Sequence, residues 1–125
     1  MMVEISNGEL LDKLSILKIK LDNISEDGKL KNIRKEFDIL NELSNEFIKQ
    51  TTIMNLFNEL LDVNKKLWDV EDFIRHKEKL KEFDEEFVFY ARNVYITNDL
   101  RADIKRKIND ITNSEIVEEK SYERY

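Results

Sequence analysis

Cysteine and proline are absent from the 125 residues, and glycine occurs only at Gly8 and Gly28. Lack of cysteine excludes disulfides, thiolate nucleophiles and thiolate metal sites, and it fits a cytosolic protein. Lack of proline, with no glycine in the ninety-seven residues after Gly28, removes most of the punctuation that hairpins, bulges and tight turns require. What is left is helix. No apolar run approaches the ~20 residues needed to span a bilayer. The opening MMVEISNGELL has neither the basic nor the apolar region of a secretory signal, so membrane and export roles are not expected.

Charged residues make up 38% of the chain and apolar residues 41%, proportions that suit amphipathic helices with one wet face. Seven Phe, four Tyr and one Trp are more than a disordered chain would carry. The net charge of −6 is uneven: residues 92–108 hold five basic and two acidic side chains, whereas the segments on either side are acidic. Only that stretch would attract an anion. A local charge of +3 in an acidic protein is a small electrostatic footprint, so a nucleic-acid partner is not expected.

Along the chain, Ser6 and Glu9 have the spacing of a capping box, in which Glu9 reaches back to the Ser6 N–H, and Leu10, Leu14, Leu17, Leu21 and Ile24 continue it as a helical seam. A second helix is marked by Leu30, Ile33, Phe37, Leu40 and Phe47. The residues Lys49 to Thr52 interrupt it, with the threonines as caps. A third follows with seven aliphatic positions from Ile53 to Ile74 in heptad spacing, ending in the charged run Lys77 to Lys81. An aromatic segment from Asp84 to Thr97 precedes a last helix carrying Leu100, Ile104, Ile108 and Ile111. Thr97 reads as its fresh N-cap. The expectation is a mainly α, antiparallel bundle of four to five helices in one domain spanning residues 1–125, with the tail SEIVEEKSYERY along its side.

Chemistry is restricted by what the chain lacks. His76 is the only histidine, too few for a di-iron bundle or a typical zinc site, and it reads as a surface or helix-end residue. The carboxylate motif of all-helical pyrophosphohydrolases fails at its third acid, at Phe89 in one copy and Tyr122 in the other. No metal or cofactor is expected. Two constellations remain. Trp68, Glu71, Asp72 and Arg75 lie on adjacent rows of the third helix, with Glu71 and Asp72 as acid–base candidates. Further along, Arg92, Tyr95 and Asp99 share one helical row, and Asn98, Arg101 and Lys105 another. Arginine suits bidentate recognition of phosphate or carboxylate.

The strings GELLDKLSILKIKL, LWDVEDFIR, ARNVYITNDLRADIKRKIN and IVEEKSY, in this order over nearly the whole chain, resemble an uncharacterised family of small proteins of bacteria and marine phages. The resemblance implies a conserved unit with no assigned reaction. It lays weight on the polar positions already named, from Trp68 to Arg101, and on Glu119, Lys120 and Tyr122. Family members usually carry glycine where this chain has Asn113, a residue that also tolerates left-handed backbone.

Two functions follow as expectations. One is a homodimeric helical scaffold, motivated by the aliphatic seams of the first and third helices. The other is a binding protein or enzyme for a phosphate, nucleotide sugar or carboxylate, with Arg75, Arg92 and Arg101 converging on the anion and Trp68 or Tyr95 stacking. The second requires those side chains to share one cleft.

Overall fold

The computed structural model describes residues 1–123 and contains four helices joined by short turns. α1 spans Asn7–Asn23, α2 Asp27–Ile48, α3 Thr51–Leu80 and α4 Glu85–Thr112. α1 runs against α4, since Gly8 meets Asn109 and Asp12 meets Arg101. The α1–α2 and α3–α4 pairs are antiparallel hairpins, as connections this short require.

The core is where the aliphatic seams predict it. Leu11 and Leu14 of α1, Ile53, Leu56, Phe57 and Leu60 of α3, and Ile104 and Ile108 of α4 form one buried cluster. α2 lays Phe37, Leu40, Phe47 and Ile48 against it. Each such side chain contributes about 1.5–3 kcal/mol on burial. The seams of α1 and α3 are thereby covered inside a single chain, so they leave no long stripe for a partner. Exposed apolar side chains lie elsewhere, among them Leu80, Phe83, Val88 and Phe89 at the α3–α4 turn and Ile39 and Leu43 on α2.

Three local expectations need correction. The two helices separated at Thr97 are one continuous α4. Thr97 is 1% exposed and faces the interior, so its burial outweighs its preference for caps. Thr51 and Thr52 are inside α3; the cap position is Gln50, which makes no side-chain capping bond. At Ser6 only half of the capping box forms. The Ser6 hydroxyl accepts from Glu9 N–H at 3.0 Å, but the Glu9 carboxylate turns to the Lys105 ammonium instead.

Both long helices end in left-handed residues, Lys81 (φ 58°) and Asn113 (φ 52°). In each case the N–H of the left-handed residue and that of the next residue close back on the last turn: Glu82 to Lys77 and Ser114 to Asn109 are the longer-range bonds. That is the Schellman pattern, which satisfies carbonyls the helix leaves open. Asn113 takes this conformation as asparagine tolerates left-handed backbone. Beyond it, residues 115–123 lie beside α4. Glu119 pairs with Arg106 and Lys120 with Asp99, both at 3.0 Å. The part of the predicted tail at residues 124–125 lies outside the described residues.

Candidate functional site

α1 carries an unusual buried row: Gly8, Asp12, Ser15 and Ile19, spaced by four, three and four residues. It faces α4 and α3. A carboxylate taken out of water is tolerated only when paired and hydrogen-bonded, and Asp12 is met from both helices. Arg101 of α4 donates its Nε to Asp12 Oδ1 at 2.8 Å and its Nη2 to Oδ2. Asn64 of α3 donates to Asp12 Oδ1 at 2.9 Å and to the Ser15 hydroxyl at 2.7 Å. Ser15 then donates to the Asp12 carbonyl at 2.7 Å. The hydrogen bond to Asp12 raises the guanidinium pKa of Arg101, against the lowering effect of burial. Arg101 is held as a fixed cation.

Over this network opens a cleft of about 380 Å³ between α1, α3 and α4. One side is carbon, from Ile16, Ile19, Leu67 and Trp68; the other is polar, from Asn64, Glu71, Asp72, Arg75, Asn98 and Arg101. The volume lies within the usual range for small-molecule sites. At the mouth, Arg75 Nε stands 3.4 Å from Glu71 Oε2, an exposed pair one turn apart. Arg101 Nη1 approaches Asn98 Oδ1 at the same distance.

Of the side chains singled out in the sequence, Trp68, Glu71, Asp72, Arg75, Asn98 and Arg101 meet in this cleft. Arg92, Tyr95, Asp99 and Lys105 do not line it. Helical geometry is the reason: Arg92, Tyr95 and Asp99 occupy the other row of α4, where Asp99 receives Lys120 of the tail. Lys105 shares the row of Asn98 and Arg101 but lies one turn further along, where it reaches Glu9. The three-arginine clamp is therefore not assembled, and both cleft arginines already face carboxylates. His76 is exposed near the end of α3. Among the described residues no group of three or more His, Cys, Asp or Glu side chains is placed to hold a metal ion.

Asp12, Ser15 and Asn64 were not identified from the sequence. Polar residues in amphipathic helices normally mark the wet face. The available signal was the Gly8–Asp12–Ser15 row itself, small or polar residues recurring at helical spacing beside the leucine seam.

A second polar cluster secures the start of α1. Its first N–H groups are all answered: Asn7 by Ser114 Oγ at 3.2 Å, Gly8 by Asn109 Oδ1 at 2.7 Å and Glu9 by Ser6 Oγ. Glu118 of the tail completes the cluster, accepting from the Ser6 hydroxyl and from Asn109 Nδ2. Partial burial pushes the Glu118 pKa up, but the Ser6 and Asn109 hydrogen bonds and the nearby Lys105 charge leave it lowered.

Among the described residues no helix is long and apolar enough to cross a membrane. No curated protein and no solved structure matches the chain. One family model matches it over residues 1–125, described as a family of unknown function, DUF6165.

Proposed function

We propose, for a chain that belongs to this family of unknown function, that it is a small-molecule-binding protein whose site is the cleft between α1, α3 and α4. One observation carries the reading: seven polar or aromatic side chains from two helices converge on a cavity of ligand size. The buried Asp12–Arg101 pair beneath adds support. A buried ion pair is weak as a source of stability compared with apolar packing, so its presence beside a cavity is better accounted for by a requirement for fixed polar geometry. Asp72 and Glu71 are the acid–base candidates if the bound molecule reacts, and Trp68 supplies the aromatic wall.

Two-dimensional amide NMR with a library of small polar compounds tests this. The expected result is that hits perturb Trp68, Asn98 and Arg101 together, and that Arg75→Ala weakens them at least tenfold. Arg75 is exposed, so its removal leaves the fold intact. Hits mapping only to other surfaces would end the proposal.

A second reading, a homodimeric scaffold, has its own supporting observation. Leu80, Phe83, Val88 and Phe89 are each at least half exposed at the α3–α4 turn. The run from Phe87 to Ala91 is apolar all round, and one neighbouring helix can cover only one side of it. Sedimentation at micromolar concentration should give a dimer, and Phe89→Glu a monomer. A monomeric native chain would eliminate this reading. The sequence resemblance and the absence of cysteine favour a cytosolic protein of bacteria or phages.

A further inference from the structure

The chemical class of the ligand follows from what the charged groups of the cleft already do, an inference that rests on the cleft being the binding site. Arg101 is committed to Asp12 through Nε and Nη2. Arg75 leans on Glu71. With Asp72 at the mouth, three carboxylates (Asp12, Glu71 and Asp72) face two guanidiniums, so the cleft and its floor are formally −1 before anything enters. An anion only accepts hydrogen bonds. It would meet two carboxylates at the entrance and would have to draw Arg101 away from a buried partner.

The groups left over describe a different ligand. Asn64 has spent its amide hydrogens on Asp12 and Ser15, so its carbonyl oxygen is without a partner among the described residues. Glu71 keeps one carboxylate oxygen and Asp72 both. Unused donors are present as well: the Asn98 amide nitrogen, the terminal nitrogens of Arg75, and the second hydrogens of Arg101 Nη1 and Nη2. Free acceptors and free donors therefore stand together in the cleft, and Ile16, Ile19 and Trp68 give a wall of carbon beside them. An organic cation satisfies the acceptors but brings a like charge to Arg75 and gives the free N–H groups of Asn98 and Arg101 nothing to donate to. A hydroxyl group both donates and accepts. A ring bearing several hydroxyls also has a C–H face for the carbon wall.

We propose that the cleft binds an uncharged saccharide ring, with hydroxyls donating to Glu71, Asp72 and Asn64 and accepting from Asn98 and Arg75. Trp68 is the only tryptophan in the chain, so intrinsic fluorescence of the full chain reports on the cleft directly. The probes are methyl glucoside, methyl galactoside, methyl mannoside and N-acetylglucosamine, with inorganic phosphate, acetate and choline as charged comparisons. The expected result is a saturable change in Trp68 emission with at least one saccharide, insensitive to salt and weakened at least tenfold by Asp72→Ala. Asp72 is exposed on α3 and alanine favours helix, so this variant keeps its fold. A saturable, salt-sensitive response to phosphate or acetate that Arg75→Ala abolishes would overturn the saccharide assignment and leave the cleft as a site. So would a response to choline alone. Silence towards every saccharide overturns it too, and the NMR library then decides whether the cleft binds anything else.

Discussion

A methyl group added at Gly8 would stand 2.5 Å from the Lys105 carbonyl oxygen and 2.9 Å from Asn109 Oδ1. Backbone cannot move aside as a flexible side chain can, so α1 would have to retreat from α4 and stretch the Gly8–Asn109 hydrogen bond. Gly8→Ala should therefore cost about 1–3 kcal/mol, the usual range for overpacking. Gly28 is the opposite case. Nothing lies within 4 Å of its added carbon, and in the first turn of α2 alanine should stabilise by about 0.5–1 kcal/mol. Urea unfolding of the two variants checks both signs. At this scale the sequence was only partly legible. Trp68, Glu71, Asp72 and Arg75 stand out by type and spacing, and they do share a cleft. Asp12 and Asn64 do not stand out, because a lone acid or amide in an amphipathic helix looks the same whether it faces water or a buried arginine.

Helices were legible where one period ran unbroken, as from Ile53 to Ile74, and misread where a polar cluster interrupted it. The sequence Thr97-Asn98-Asp99 has the composition of a cap, yet α4 passes through it because each residue has a tertiary role. Thr97 packs inward, Asn98 faces the cleft and Asp99 holds the tail. The cost is visible at Thr97, whose buried hydroxyl has no hydrogen-bond partner among the described residues. A buried, unsatisfied hydroxyl costs about 1–3 kcal/mol, and valine has nearly the same shape. Thr97→Val is expected to raise stability by about 1 kcal/mol, seen as a higher urea midpoint with an unchanged slope. At the neighbouring turn, Lys77 bridges Glu82 at 3.1 Å and Asp84 at 2.8 Å. Asp84 also caps Phe87 N–H. Its pKa is lowered first by Lys77 and then by that N–H, and the Lys77 pKa is raised in return.

The molecule as a whole is held together at one end by its two termini. Glu118 contributes there in a pH-dependent way. Its folded pKa is lowered, so its contribution is complete above the ordinary glutamate value, about 4.3, and is lost as pH falls below that through the folded value. Amide hydrogen exchange across residues 114–120 should therefore accelerate in acid before the core of α3 does. Glu118→Gln should remove the pH dependence of that difference. The sequence suggests that the tail runs along the bundle, but it does not say which of two adjacent glutamates turns towards Ser6.

Because Gly8 and Asn7 find their acceptors 101 and 107 positions downstream, the first helix to leave a ribosome is the last to be finished. It must wait, with only the local Ser6 cap on its opening turn, until Asn109 and Ser114 have been translated and have cleared the exit tunnel. The α3–α4 hairpin, whose contacts next to the turn are near in sequence, can begin to zip before then, giving α1 a partly formed surface to dock on.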